Sequence, residues 1–163
     1  MSSEQPFACV DYQAIVNRLY AKFDYDFVGI AMRESQSPHQ IRWTYVAGNT
    51  NQRYRRIVLR NGIGIAGYVL QTGISFLNNA TLDLDYRDRM YCPIARAEKL
   101  TNVVAIPLTT PPFQLVNGVL LVGFRHQGHK VSHRDVQRLS QSLLELIGDG
   151  FFVRNKSLGA DFF

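Results

Sequence analysis

A glycine-rich stretch at residues 61–68 reads Asn-Gly-Ile-Gly-Ile-Ala-Gly-Tyr and carries the clearest chemical signal of the sequence. It follows an extended segment and precedes a run with helical character, so it predicts a strand-to-helix turn. The first turn of a helix has N–H groups without intrahelical partners, and the helix dipole adds positive charge there. Gly62 and Gly64 permit positive φ and the close approach of a ligand. The stretch predicts a small-anion site; a helix start without a ligand is the alternative.

The same glycines have the Gly-x-Gly-x-x-Gly spacing of a dinucleotide-binding turn. That motif needs a strand–turn–helix–strand unit in a parallel sheet, with an acidic residue about 20 positions later. Asp83 and Asp85 meet only the spacing, and the later strands are predicted to form an antiparallel hairpin. The pattern therefore argues against a dinucleotide site.

The cysteines and histidines are the other side chains that could do chemistry. Cys9 and Cys92 are too few for a disulfide scaffold or a four-thiolate metal site. Cys92 stands beside Pro93 at a predicted helix start, where a thiolate could form, but a second thiol to resolve a product is far away in sequence. Three histidines within residues 126–133 have no acidic or thiol ligand beside them, so a metal site is not predicted.

The formal net charge is +5, and most of the basic residues are arginine. Arg53, Arg55, Arg56 and Arg60 cluster just before the glycine-rich stretch. Three interpretations compete: a solvated strand face, a docking surface for an acidic protein, and a nucleic-acid surface. No nucleic-acid-binding motif accompanies the cluster, so nucleic acid is the weakest of the three. Arg53, Arg55 and Arg56 are the candidate contacts to a protein partner.

Length and composition predict one domain over residues 1–163, because 46% hydrophobic residues in a chain of this length fill one core. The amino terminus lacks the pattern of a leader, and the longest apolar stretch, near residues 116–124, is too short to span a bilayer. We therefore expect a soluble, cytoplasmic protein without a membrane partner.

Hydrophobic periodicity predicts an alternation of helices and short strands. The predicted elements are a helix at 11–23, strands at 26–33 and 40–47, an extended segment at 54–59, a helix at 65–71, a strand at 74–77, a covering turn and loop at 81–94, strands at 101–108 and 118–125, and a long helix at 132–147. Trp43 is predicted to face inward, Gly73 is predicted to end the helix at 65–71, and Ser132 with Asp135 is predicted to cap the last helix. Asn117-Gly118 and two prolines, Pro111 and Pro112, predict the turn between the last two strands.

This order resembles the GAF domain, a family of small-ligand sensory modules, over nearly the whole chain. The matching blocks are Gly-Ile-Gly-Ile-Ala-Gly at 62–67 with Gln-Thr-Gly-Ile at 71–74, and Asn-Val-Val-Ala-Ile-Pro-Leu at 102–108 with Gly-Val-Leu at 118–120. The resemblance implies an α+β fold: a central antiparallel sheet of about five to six strands, flanked by N- and C-terminal helices and a pocket-covering segment. GAF domains hold many ligands, so the fold leaves the ligand open.

Within this family, the inward tryptophan and the Tyr-Cys-Pro-Ile-Ala segment at 91–95 are similar to those of nitrate receptors. The resemblance implies a nitrate site formed by Trp43, Ile65, Ala66, Pro93, Ile94 and, through its amide, Ala95. Nitrate is planar and weakly hydrated, so a neutral pocket with N–H donors and an aromatic wall can bind it without a buried countercharge. A plain core position is the alternative for Trp43.

The implied function is regulatory, with nitrate as ligand and no cofactor. Such receptors restrain an oxygen-sensing histidine kinase without nitrate and release it with nitrate, which controls nitrate-respiration genes. The sequence has no kinase, phosphoacceptor or DNA-binding unit, so any output needs a partner. Closing residues 81–95 over an ion would change the surface offered to that partner.

Two other classes stay open beside this non-enzymatic sensor. Free methionine-R-sulfoxide reductase is also a GAF protein and uses thiols, but its clustered cysteines are missing between Gly73 and Tyr91. A module for a cyclic nucleotide or another small ligand is the second alternative, although the inferred lining offers little side-chain hydrogen bonding. The Phe pair at the end of residues 157–163 would dock on the body or on a second subunit, making a homodimer.

Overall fold

The computed structural model describes residues 9–34, 36–37, 40–110, 115–148 and 152–153. Its helices and strands, in chain order, are β1 (Cys9–Val10), α1 (Tyr12–Lys22), β2 (Phe27–Arg33), β3 (Gln40–Ala47), a 3-10 helix called the arginine turn (Arg53–Arg56), β4 (Val58–Arg60), α2 (Gly64–Thr72), β5 (Phe76–Asn78), a 3-10 helix (Thr81–Asp83), α3 (Pro93–Glu98), β6 (Asn102–Thr110), β7 (Leu115–Phe124), α4 (His133–Gly148) and β8 (Phe152–Val153).

A six-stranded sheet in the order β4-β3-β2-β7-β6-β5 forms the centre, and β1 pairs with β8 apart from it. All neighbouring strands are antiparallel. Along β7, Leu120 and Val122 pack on the side of α1 and α4, whereas Val119 and Leu121 pack on the side of α2 and α3. Side chains of a strand alternate between faces, so the central strands serve two cores. The predicted α+β class and strand number are confirmed.

The helix ends follow the predicted capping chemistry. The Asp135 carboxylate accepts the Ser132 N–H at 2.7 Å, which completes the predicted cap of α4. The carboxylate of Asp11 accepts the Ala14 N–H at 3.1 Å and begins α1. Gly73 adopts φ 71° and ends α2, as expected for a glycine C-cap.

The prediction of an extended segment at 54–59 is wrong for its first half. The chain forms the arginine turn there, and only Val58–Arg60 is a strand. Asn51 explains the difference, because its side-chain oxygen accepts the Arg53 N–H at 2.8 Å and starts the 3-10 helix. The arginines Arg53, Arg55 and Arg56 are exposed on this turn, so the strand-face interpretation does not hold for them.

The turn predicted at Asn117-Gly118 is also wrong, because both residues lie inside β7. Gly118 pairs with Met32 on one side and Leu108 on the other. A Cβ there would lie 2.6 Å from the Met32 sulfur, so close strand packing is the reason for this glycine.

Several predictions fall outside the described residues. They concern the amino-terminal pattern at 1–6, the prolines Pro111 and Pro112, His39, and the Phe pair within 157–163. The single domain over 1–163 stays a prediction.

Candidate anion site

Five of the six predicted site residues line one narrow cavity between β3, α2 and α3. They are Trp43, Ile65, Ala66, Pro93 and Ile94, and the described residues Leu59 and Cys92 complete the lining. Ala95 is fully buried beside this space but does not line it. The walls stand close together and leave no room for a water-sized sphere. An ion can enter only if one wall moves.

The glycine-rich turn brings the starts of α2 and α3 together. Gly64 has φ 75° and donates its N–H to the Arg89 carbonyl at 2.9 Å. A Cβ on Gly64 would lie 2.7 Å from the Tyr91 carbonyl oxygen, so only glycine lets the segment before α3 pass this closely. The positive φ predicted for Gly62 and Gly64 is confirmed, and Gly67 packs against the Arg60 carbonyl, whereas the approach of a ligand to these glycines stays a prediction.

Trp43 supplies a hydrogen-bond donor that the described residues do not use. The strand alternation of β3 turns its indole into the core, where only 3% of the residue is exposed. Its Nε1–H is buried and has no acceptor among the described residues. Burying such a group unpaired costs about 1–3 kcal/mol, so an acceptor inside the cavity would recover stabilisation.

The two helix starts add main-chain donors. Ile65 and Ala66 lie in the first turn of α2, and Ile94 and Ala95 lie in the first turn of α3. N–H groups at these positions have no intrahelical acceptor, but those of Ile94 and Ala95 face the Cys92 sulfur. Helix α3 has six residues, so its individual N–H groups matter more there than its dipole. No charged side chain is among the described residues of the lining.

Cys92 contributes a neutral thiol to this lining. Cys92 is 4% exposed. Burial raises the pKa of its thiol from 9.0 to about 12, and hydrogen bonds from the amides of Ala95 and Ile94 lower that pKa by a smaller amount. The thiol therefore keeps its proton at neutral pH, which disfavours the nucleophile of the reductase alternative. The backbone of Cys9, the other cysteine, pairs with Val153 in the small sheet.

The segment predicted to cover the pocket begins with the 3-10 helix Thr81–Asp83 and leads into α3. Thr81 anchors its start, because its N–H and its hydroxyl each donate to the Thr101 carbonyl at 3.1 Å. Arg96 on α3 donates to the Leu84 carbonyl at 2.8 Å and holds the middle. Met90 packs against the core around Trp43. The segment lies beside the cavity, and its movement over an ion stays a prediction.

The remaining predicted residues lie away from the cavity. Arg53 and Arg56 are exposed on the arginine turn, and Arg55 borders a surface groove that also touches Trp43. His126 and His129 lie in an exposed turn after β7, and no group of three metal-ligating side chains is found in the described part of the chain. Sequence reasoning missed the pair formed by buried Glu98 and half-buried Arg125, which no motif or periodicity signals.

Comparison with solved structures decides the family. A hypothetical protein from S. aureus has 38% identity and a TM-score of 0.63, covering 71% of this chain and 94% of its own. Two structures of NreA protein from Staphylococcus aureus, mutated in the nitrate binding site, have 38% and 36% identity and TM-scores of 0.64 and 0.63. They cover 71% and 78% of this chain and 84% and 96% of their own. The chain belongs to the NreA family. No family sequence model and no curated protein matches it.

More distant structures show the fold that the NreA family shares. A GAF domain at 12% identity has a TM-score of 0.59 and covers 81% of this chain and 69% of its own. A free methionine-R-sulfoxide reductase from Neisseria meningitidis, at 16% identity, has a TM-score of 0.62 with 80% and 70% covered. The predicted GAF-like fold is confirmed. Within the described residues of this NreA-family chain, no helix has the length and apolarity to cross a membrane.

Proposed function

We propose that this NreA-family chain is a nitrate-binding sensory protein. Its ligand would lie between the starts of α2 and α3, against Trp43, in contact with Ile65, Ala66, Pro93, Ile94 and the Ala95 amide. The observation that carries the proposal is that Trp43, whose buried indole N–H has no acceptor among the described residues, lines a cavity whose described lining is uncharged. The likeness to NreA structures with mutations in a nitrate binding site supports it.

The donor chemistry favours nitrate over more highly charged anions. Nitrate spreads one negative charge over three oxygens, which several neutral N–H donors can match. Sulfate and phosphate carry more charge, and their transfer into a lining without cations would cost much more desolvation energy. The closed cavity must widen for any ion, so binding selects a state with α3 or the segment before it displaced.

The output of this sensor passes through a partner, which we propose to be an oxygen-sensing histidine kinase of the nitrate-respiration system. In this proposal the protein works in the cytoplasm, is not an enzyme, and meets the kinase at Arg53, Arg55 and Arg56. The exposed guanidinium groups of the arginine turn suit carboxylates on such a partner. The family resemblance is the reason for proposing a kinase as the partner. The exposed positive charge of the arginine turn supports contact with a protein.

Titration calorimetry with sodium nitrate tests the ligand. The native chain is expected to bind nitrate and to give no heat with sulfate at equal ionic strength. Trp43→Phe keeps an aromatic wall and removes the N–H, so its affinity should fall about tenfold, the cost of one lost hydrogen bond. Tyr45→Phe is the matched control, because Tyr45 lies on the same strand and packs in the other core. Its affinity should equal that of the native chain.

Two results would contradict the proposal. If titration of the native chain with nitrate gives no heat, the proposed sensor function is wrong. If Trp43→Phe binds nitrate as tightly as Tyr45→Phe does, nitrate binds elsewhere and the assigned site is wrong. Including a cyclic nucleotide and free methionine sulfoxide in the same series tests the two alternative classes.

A further inference from the structure

The end of α3 away from the cavity is held by a buried carboxylate. Glu98, the last residue of α3, is 1% exposed. Its Oε1 accepts the Thr50 N–H at 2.8 Å, the Thr50 hydroxyl at 2.9 Å and the Arg125 guanidinium at 2.7 Å. Thr50 belongs to the loop between β3 and the arginine turn. The helix that borders the cavity is therefore tied directly to that loop.

Arg125 fixes this connection to the sheet. Its guanidinium donates to the carbonyls of Glu98 at 2.8 Å, Gly48 at 3.0 Å and Asp26 at 3.1 Å. The backbone N–H of Arg125 donates to the Asp26 carboxylate at 2.7 Å. Charge-assisted bonds of this kind are short and geometrically specific. The loop after β3 and the end of α3 thus share one anchor.

Asn51 makes a second connection with both ends of its amide. Its Nδ2 donates to the Ala97 carbonyl near the end of α3 at 3.0 Å. Its Oδ1 accepts the N–H of Arg53, the first residue of the arginine turn, at 2.8 Å. A single side chain therefore joins the cavity helix to the turn that carries the exposed arginines.

The arginine turn presents positive charge that the described residues do not neutralise. Arg53 and Arg56 are exposed, and neither guanidinium pairs with a carboxylate among these residues. Arg55 stacks near the Tyr54 ring, with its guanidinium carbon 5.6 Å from the centroid, and donates to the Tyr54 hydroxyl at 3.2 Å. Arginine forks bind carboxylates in pairs of hydrogen bonds. An acidic protein surface fits this turn.

We infer that residues 48–56 are the output segment of the sensor: displacement of α3 by a bound anion moves the arginine turn through Glu98–Thr50 and Asn51–Ala97, and the turn binds an acidic protein. This inference rests on the proposed function. The cavity cannot admit an ion without moving a wall, and α3 is the wall whose far end holds this loop. The anion and the partner are then coupled reciprocally.

Hydrogen exchange of the full chain, measured with sodium nitrate and with sodium chloride at equal ionic strength, tests the coupling. In the native chain nitrate should change amide exchange both at residues 64–66 and 93–97 and at residues 48–56. Asn51→Asp keeps an acceptor for Arg53 and removes the donor to Ala97. It should lose most of the change at 48–56 and keep the change at the cavity. Asn49→Asp, which adds the same charge to the same loop without a bond to α3, should keep both.

Thr50→Val provides a second variant if Asn51→Asp does not fold. It removes the hydroxyl bond to Glu98 and the acceptor of the Asn51 Nδ2 bond at 3.3 Å, and it should weaken the change at 48–56 without altering the change at the cavity. A response at the cavity of the native chain without one at 48–56 overturns the inference and leaves the proposed function standing. No response at the cavity overturns the proposed function, and the inference with it.

The kind of partner is tested with two probes of equal length, a glutamate-rich peptide and a single-stranded oligonucleotide. The native chain should bind the peptide, with an affinity that nitrate changes at least threefold, and Asn51→Asp should bind it with the same affinity in both salts. Tighter binding of the oligonucleotide would overturn the assignment of an acidic protein partner.

Discussion

The two ends of α3 differ in the charge and the hydrogen-bond partners of the polar groups that they bury. At the start, the Trp43 indole N–H has no acceptor in the described part of the chain, and main-chain donors lie in the first helical turns. At the end, Glu98 Oε1 and Arg125 bond to each other, to Asp26 and to the loop after β3, while Glu98 Oε2 has no hydrogen-bond partner among the described residues. A buried donor without an acceptor is costly unless a ligand satisfies it, whereas a charge pair with several hydrogen bonds fixes geometry. One end of the helix is suited to binding and the other to anchoring.

Removing the anchor should give the largest effect. Arg125→Ala leaves the Glu98 carboxylate buried without its countercharge, and the loss of one member of such a pair costs about 3–5 kcal/mol. Urea unfolding measures the change. Arg138→Ala is the control, because its pair with Asp135 is exposed and long, at 3.4 Å, and should cost under about 0.5 kcal/mol. Equal losses in the two variants would remove the contrast between the ends of α3.

The protonation of Cys92 tests the neutrality of the cavity end. Because burial raises its pKa from 9.0 to about 12, iodoacetamide at pH 8 should modify the native thiol at least about a hundredfold more slowly than the urea-unfolded chain. The raised pKa also contributes stability that is fully present below pH 9 and is lost as the pH rises from 9 toward 12. Cys92→Ala should lose less stability over that range. If iodoacetamide modifies the native Cys92 as fast as it modifies the urea-unfolded chain, the cavity contains a thiolate and is not neutral.

The glycine turn is the next point at which the cavity end can be broken. Gly64→Ala forces a Cβ onto the Tyr91 carbonyl at positive φ, which should cost about 1–3 kcal/mol and weaken nitrate binding. Thermal unfolding and nitrate calorimetry measure the two effects. Gly128→Ala, in an exposed turn without positive φ, serves as the control and should change neither quantity appreciably. An unchanged nitrate affinity in Gly64→Ala would show that the glycine turn does not contribute to nitrate binding.

The smallest effect on the fold is expected at the arginine turn. Reversing the charge of Arg55 and Arg56 to glutamate should change the unfolding free energy by less than about 0.5 kcal/mol, since both side chains are exposed. Nitrate affinity should stay within about twofold, because neither residue lines the cavity. Binding to the kinase should weaken, as measured by surface plasmon resonance. Undiminished kinase binding would place the contact on another surface.

Sequence reasoning succeeded where the signal was local or periodic. The apolar spacing of residues 11–23, the cap formed by Ser132 and Asp135, and the glycine stop at Gly73 act within a few residues, and each is present as predicted. It failed at residues 53–56, where Asn51 starts a 3-10 helix, and at Gly118, where packing against Met32 rather than turn geometry requires glycine. The site residues came from a family resemblance, and their role in binding nitrate stays a prediction.

The sequence by itself determined the strand-to-helix turn at 61–68, the two-faced strands and the helix ends, because hydrophobic period and backbone freedom are properties of neighbouring residues. Only the tertiary structure decided that the Trp43 indole N–H is buried without an acceptor among the described residues, that burial raises the pKa of Cys92 and that Glu98 meets Arg125. Burial and pairing of this kind depend on segments far apart in the chain, which meet only after the sheet and its two cores have formed.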